Sequence, residues 1–467
     1  MPTALKISGG SYPTFRPGVS DYVTHCPRGQ VRIAVFVADP VHLGIAGESR
    51  LARRHARIVR LRPGGKAVVT LRLDGMRRSR SYYVRCLPAD FPEWRWRRSG
   101  SPAKPFYMVA PSLSQTALAT DPGFVVIFDR NGVPVWWYRA PFPPMDAKVL
   151  PGGIVAFARF GGAAYTDAEH AAHYEIRTLS GRLIRLVETP EDVLDHHDLQ
   201  PDGRGGFYLL SYPPREHVDL SPYGGPADAT VVDSRIQRVN RAGDLIWSWN
   251  SKDHVSLAET DRWWPLVLSG GTSKPDASIE YDPVHINSVH PAGGKLIVSL
   301  RHTDAVYQID VQTGEIDWKL GGTTTPQSLT VQGDPAASLP LGGPHDARQI
   351  GDGTITVYDN ATFLDRPPRA VRYRIDAAAG TATLLEDIRD PRAVVSFCCG
   401  SARRGGDGSW LMSWGGIPLV SEVAADGRRT FRLTFEDRFS YRAVGVGRAR
   451  LDIGRLRRAM DRMHRRG

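Results

Sequence analysis

Three histidines occupy one position of a recurring pattern. His197 lies eight residues before Gly205, His285 eight before Gly293 and His345 eight before Gly353, while Cys399 lies nine before Gly408. Imidazole can act near neutral pH as nucleophile, acid, base or metal ligand. If Gly293 closes a hairpin, residues 285 and 301 are equidistant from it, and an antiparallel return carries Arg301 back beside His285. Arg301 offers a planar fork of donors that suits an oxyanion. No matching row of carboxylates accompanies the histidines, so the pattern points to an anion site. Pairing of Arg301 with a loop acid such as Asp304 is the bland alternative. Three histidines also suit Zn, Mn or Fe, but a guanidinium beside them argues against a cation. The chain has no G-x-S-x-G and no phosphate-cradling loop, so neither a serine hydrolase nor nucleotide chemistry is indicated.

The elements that must position these residues are strands. Short β-rich runs recur: Val31 to Val37, Ala67 to Leu73, Tyr82 to Cys86, Phe124 to Phe128, Phe207 to Tyr212, Leu296 to Leu300, Thr354 to Tyr358 and Ser409 to Trp414. Only Ile453 to Arg466 has helical character, short and basic. A turn with glycine followed by an apolar strand repeats at Gly132, Gly181, Gly243, Gly314, Gly380 and Gly427. Six units of this length and strand-only content predict a six-bladed β-propeller over 106–447, with a solenoid as the alternative. In a propeller the first strand of each blade lines the central channel. His197, His285 and His345 would then converge on one funnel. The fold class expected is all-β: the propeller, a small N-terminal β-sandwich over 1–105, and a basic helical tail over 448–467.

Composition bounds the rest. The 467 residues are 41% hydrophobic and 23% charged, which is globular rather than disordered. No apolar run approaches the ~18 residues of a membrane helix, so no transmembrane segment is expected. The net charge is +11. Residues 50–104 carry 16 basic and 3 acidic side chains and residues 448–467 carry 8 and 2, so basicity sits outside the motif-rich part of the chain. That argues against a nucleic-acid partner. Residues 1–10 lack a basic stretch followed by an apolar core, so the chain as given shows no signal peptide, as a cytoplasmic protein would. Cys26 and Cys86 are placed for a disulfide or for two buried thiols. The adjacent Cys398 and Cys399, in the histidine row of another blade, suit either a vicinal disulfide or two thiols. Most of the tryptophans and tyrosines are attributed to blade packing, and no aromatic is assigned to a substrate pocket.

Several strings carry a family resemblance. His197-Asp198-Leu199, His285-Ile286-Asn287-Ser288-Val289 with Ser299-Leu300-Arg301, and His345-Asp346-Ala347 resemble hallmark segments of the arylsulfotransferase (aryl-sulfate sulfotransferase) family. So do Asp317-Trp318-Lys319-Leu320-Gly321-Gly322, Tyr358-Asp359-Asn360 and Phe397-Cys398-Cys399-Gly400-Ser401-Ala402, and the segment Tyr83 to Pro92 is similar to actinobacterial-type members. The resemblance implies transfer of a sulfuryl group from an aryl sulfate to a phenol, without phosphoadenosine phosphosulfate or another cofactor. It implies that His345 becomes transiently sulfated, that His285 and Arg301 hold the sulfuryl group, and that His197 or its neighbour His196 completes the site. His196 and Asn287 are assigned to substrate binding and no residue to a metal. The resemblance also implies an extracytoplasmic location. A propeller that binds a ligand or partner without catalysis, and a metal-dependent lyase or hydrolase using the histidines, are the alternative functions. The physiological donor and acceptor and the oligomeric state stay open.

Overall fold

A computed structural model describes residues 2–72, 79–113, 121–160, 172–270, 272–273 and 279–465. Leu73 and Arg466, the last residues of two expected elements, lie outside them. The described chain is all-β apart from short helical turns, a six-residue helix (Trp264–Ser269) and the expected C-terminal helix (Ile453–Met463). Runs such as Phe124 to Phe128 and Leu296 to Leu300 are apolar at almost every position because neighbouring sheets cover both faces.

Among the described residues, six sheets, antiparallel except where Thr330–Gln332 lies parallel to Thr381–Ile388, each present one strand to a common centre. These inner strands are Phe439–Val446, Pro144–Leu150, Leu194–Pro201, Ile286–Ala292, His345–Gln349 and Ser401–Arg404. Each contacts the next, and the last returns to the first. From each inner strand the sheet steps outward through hairpins, with glycines such as Gly314 (φ 80°) taking the left-handed turn before the outer strand. Both chain ends close the circuit. Phe439–Val446 pairs with Phe106–Leu113, and Trp94–Arg98 adds an outer strand beside Arg429–Phe435.

Most of the chain ahead of the circuit forms one six-stranded set of pairings, in the order Pro2–Ile7, Gln30–Ile45, Lys66–Arg72, Arg80–Leu87, Asp21–His25, with Glu48–Arg60 also paired to Gln30–Ile45. The long Gln30–Ile45 strand serves three partners: Ile33 to Val37 pair with Pro2–Ile7, His42 to Ile45 with Lys66–Arg72, and the strand from end to end with Glu48–Arg60. Its inward side chains (Val31, Ile33, Val35, Leu43) build a core separate from that of the circuit. Asp21–His25 runs parallel to Arg80–Leu87, and Cys26 is joined to Cys86 by a disulfide with Cα atoms 5.8 Å apart. The C-terminal helix starts where the Asp452 carboxylate accepts from the Arg455 amide at 2.8 Å. It buries Leu456, Ala459 and Met460 in the core of the first sheet. Its other side reaches the N-terminal sheet through Arg457 to Asp21 (Nε–Oδ1 2.8 Å) and Asp461 to Arg85 (2.9 Å). Among the described residues, no helix is long and apolar enough to cross a membrane.

One insertion matters for the site. Residues 213–233 and 251–284 leave the third sheet of the circuit and build a small sheet of their own (Pro214–Val218, Ala229–Val232, Ile279–Tyr281, Thr272–Ser273). This insertion supplies Trp263 and Asp282.

Candidate functional site

The inner strands do not enter the centre as regular strands. Pairing shifts between Met145 and Lys148, between Leu194 and Leu199, between Ile286 and Ser288, and between His345 and Arg348. Asp146, His285, Asp346 and Cys399 carry positive φ of 44°, 56°, 56° and 66°. Each irregularity breaks the two-residue alternation and re-aims side chains at the rim.

The result is a contiguous buried cluster. The His197 and His285 rings lie 4.9 Å apart between centroids, His285 and His302 4.8 Å, and His196 stacks on His197 at 4.3 Å. Tyr441 bridges the rest, 5.7 Å from His197 and 6.4 Å from His345. The Arg301 amide donates to the His285 carbonyl at 2.9 Å, so the hairpin brings the two together. Arg301 Nη1 lies 2.6 Å from His302 Nε2, and Nη2 donates to the Phe397 carbonyl at 2.9 Å. Its guanidinium lies between the Trp263 and Phe397 rings, 4.6 and 5.1 Å from their centroids. Asp304 is taken by Arg262, with Nη2–Oδ1 at 2.8 Å, and by Trp263 Nε1 at 2.9 Å.

Hydrogen bonds assign the tautomers. His197 Nδ1 lies 2.7 Å from Asp195 Oδ1, and His285 Nδ1 lies 2.5 Å from Asp282 Oδ2. Each carboxylate accepts, so each Nδ1 carries the proton and the chemistry of each ring falls to Nε2. His302 uses both nitrogens: Nδ1–H faces the Asp282 carbonyl at 2.6 Å, and Nε2 accepts from Arg301. At His345, Nδ1 lies 3.2 Å from the Gly343 carbonyl and 3.0 Å from Asn360 Nδ2. The two hydrogens of Asn360 Nδ2 go to the carbonyls of Gly343 (2.8 Å) and Cys399 (3.1 Å). His345 must therefore donate from Nδ1, which puts its lone pair on Nε2.

Burial pushes the His345 imidazole well below the ordinary histidine range, and the Arg301, His197 and His285 charges push it further the same way. Burial also depresses His285, against the pull of Asp282. His196 falls to about 3, from burial and then the His197 charge. The neutral base is thus the resting form of His345.

One step along the same strands lies a buried ionic layer. Arg348 Nη2 contacts Asp198 (2.6 Å) and Asp346 (2.9 Å), Lys148 contacts Asp198 (3.0 Å), and Arg442 contacts Asp146 (2.6 Å) and Asp198 (3.1 Å). Arg403 reaches Asp346 at 2.5 Å. Three carboxylates face four cations, so the layer leaves an excess of positive charge beside the histidines, a field that favours an anion.

Asn287 and His196 sit back from the centre. The Asn287 amide donates from Nδ2 to the Pro344 carbonyl at 2.9 Å, and its Oδ1 accepts from Ser299 Oγ at 2.6 Å. It braces the peptide leading into His345 and acts by positioning. His196 stacks behind His197 and faces Phe160, whose ring lies 5.0 Å away. Cys398 and Cys399 carry free thiols with their sulfurs 2.7 Å apart. The site also draws on Asp195, Asp282, His302, Asn360, Trp263, Phe397 and Tyr441. Trp263, whose ring lies against the Arg301 guanidinium, is an aromatic that the sequence reading did not assign to the site. Asp282 to His285 is an i,i+3 spacing, and His302 directly follows Arg301, so both carried a short-range signal. Phe397 heads one of the strings that carry the family resemblance, and Trp263 carried no signal.

Two groups have ligand atoms close enough for a metal: Asp195, His196, His197 and Asp282, His285, His302. In the second, a guanidinium already occupies His302 Nε2, and both carboxylates are engaged by imidazole N–H groups. The donor set suits an anion better than a cation.

Residues 168–436 match the sequence family described as Arylsulfotransferase (ASST). No curated protein matches the chain. Among solved structures, a protein of unknown function from Bacteroides caccae aligns at 13% identity and TM-score 0.43, covering 73% of this chain and 98% of that one. Virginiamycin B lyase from Staphylococcus aureus aligns at 10% identity and TM-score 0.36, covering 73% and 88%.

Proposed function

The chain belongs to the arylsulfotransferase family, and on that premise we propose that it moves a sulfuryl group from an aryl sulfate to a phenol through a sulfated His345. The scaffold we infer is a six-bladed propeller over 106–447, carried with an N-terminal β-domain over 1–105 and a helical tail over 448–467. The observation that carries the chemistry is the His345 tautomer: Nδ1–H on Gly343, a lone pair on Nε2, and a neutral ring beside a guanidinium.

In the first half-reaction His345 Nε2 attacks sulfur. An N–S bond forms, the S–O(aryl) bond breaks, and the aryl oxide takes a proton from His197. In the second, the acceptor phenol returns that proton to His197 Nε2 while its oxygen attacks sulfur and the N–S bond breaks. Asp195 steadies the charged form of His197 before the first half-reaction and after the second, and the ring is neutral in the interval. The sulfuryl group in flight spreads negative charge over its equatorial oxygens, so positioning and fixed donors matter more than covalent help. Arg301 and His285 are the residues we assign to that charge, and the cation excess of the ionic layer supports them at longer range. Each half-reaction balances without a cofactor, and splitting the transfer in two predicts ping-pong kinetics.

The test is incubation with 4-nitrophenyl sulfate followed by intact-mass measurement. A gain of one SO3, labile to acid, is expected together with nitrophenol release, and both should vanish in His345→Ala. Absence of adduct and release across several donors and acceptors would refute the assignment.

A further inference from the structure

Large apolar side chains reach solvent near Arg301 and in the segment that leads into Phe397. Phe363 is 65% exposed, Val394 69%, Val395 72% and Phe397 53%. The Phe363 and Phe397 rings lie 6.0 Å apart, and Phe363 lies 5.9 Å from Trp263. Phe397 and Trp263 are the rings that flank the Arg301 guanidinium. An unbroken apolar path therefore leads from the group that would hold the sulfuryl oxygens to solvent.

The path is held in a costly shape. Phe363 has φ 58° and Ala361 φ 50°, a region that strains a bulky side chain. The turn is pinned on both sides. The Asp359 carboxylate accepts from the Ala361 amide at 3.0 Å, Arg262 Nη1 donates to the Thr362 carbonyl at 3.0 Å, and Thr362 Oγ1 donates to the Phe397 carbonyl at 3.2 Å. These bonds keep an aromatic ring in water, where isolated chemistry would turn it inward.

We infer that this lip binds an apolar extension of the substrate: the site takes phenols, and their sulfates, that carry an alkyl chain or a second ring beyond the one bearing oxygen. The inference rests on the transferase assignment above. A sulfate seated at Arg301 places its aryl group next to Phe397, and a substituent on that ring then runs along Phe363, Val394 and Val395. Donor and acceptor meet the same histidine in turn, so the lip serves both. A protein partner fits less well: four side chains of this size offer roughly 400 Å², against the ~800 Å² per partner of a standard interface.

The experiment compares phenyl, 4-butylphenyl and 4-octylphenyl sulfates below their micelle concentrations, with intact-mass detection of the adduct from 4-nitrophenyl sulfate as a separate readout. A fully buried methylene is worth about fourfold and one half-covered on the lip about twofold, so kcat/KM is expected to rise about fifteenfold for each four methylenes. In the triple variant Phe363→Asn, Val394→Ser, Val395→Ser the rise should flatten. All three positions are exposed, and asparagine tolerates the left-handed backbone at 363. A flat chain-length series in the wild type, with the adduct still forming, overturns this inference and leaves the transferase assignment intact. A rise that persists in the triple variant also overturns it. No adduct from any donor overturns both.

Discussion

Arg301 supplies two separable things, a charge and a geometry, and the two make different predictions. Two of its five N–H bonds fix the plane, on His302 Nε2 and the Phe397 carbonyl, and two rings clamp its faces. Arg301→Lys keeps the charge and loses the fork. Removing a preorganised donor to a developing oxyanion costs about 10²–10³ in rate, so kcat/KM should fall by about 10² in Arg301→Lys and further in Arg301→Gln. The charge shows in the pH profile. Arg301 is, after burial, the largest influence holding His345 below the ordinary histidine range. The nucleophile is the neutral ring, so the wild type should stay active as pH falls through ~6.5 and lose activity only at the depressed folded value. Arg301→Gln deletes a cation, raises that value, and moves the acid limb up toward ~6.5. Arg301→Lys should leave the limb near the wild-type position. The assay is the first-turnover burst of nitrophenol, in which the acceptor takes no part, measured against pH. A lysine variant within about threefold of wild type, or an acid limb that moves down in Arg301→Gln, would refute the reasoning.

Four further outcomes follow from the same contacts. Asp282→Asn removes the carboxylate that fixes the His285 tautomer; kcat should fall at least tenfold, toward the ~10⁴ found when an aspartate behind a catalytic histidine is neutralised, with KM little changed. Asp198→Asn leaves buried cations on Arg348, Arg442 and Lys148 short of a partner and should destabilise by ~3–5 kcal/mol, read as a lower thermal midpoint. Because those three cations hold the Asp198 carboxyl well below its usual value against burial, its stabilisation is present above pH ~3.9 and is lost as pH falls through the folded value; acid unfolding of Asp198→Asn should be correspondingly less steep. Thiol titration of denatured, unreduced protein should find two thiols, Cys398 and Cys399, with Cys26 and Cys86 joined; four thiols would contradict the disulfide. Dialysis against a chelator should leave nitrophenol release unchanged, and stoichiometric metal whose removal abolishes release would favour the metal-dependent alternative.

What could be read from the chain followed its repeats, and what could not came from where the repeats are broken. A shared register to a hairpin glycine marks His197, His285 and His345 because equivalent strands of a closed circuit put equivalent residues at one rim. Counting back from Gly293 finds Arg301 because Ile286 pairs with Leu300. Strict alternation then misleads at Asn287. It should share the face of His285, but the positive φ at His285 and the shift before Ser288 rotate it into the wall. The same device brings His302 in: Arg301–Thr303 is a helical turn rather than strand, so consecutive side chains need not oppose one another. Trp263 and Asp282 belong to an insertion without a counterpart in other sheets, and no period announces it. The bulges also explain why His197 and Asp198, or His345 and Asp346, can be neighbours and both face the centre. A regular strand would send one of each pair to the opposite face. The irregular entry allows a layer of imidazoles above a layer of carboxylates bound to cations. Asp198 and Asp346 are held ionised by their cation partners, and the cations of the layer outnumber its carboxylates. Burial, and then the Arg301 guanidinium, keep His345 neutral beside this layer, as a base that must attack an anionic ester requires.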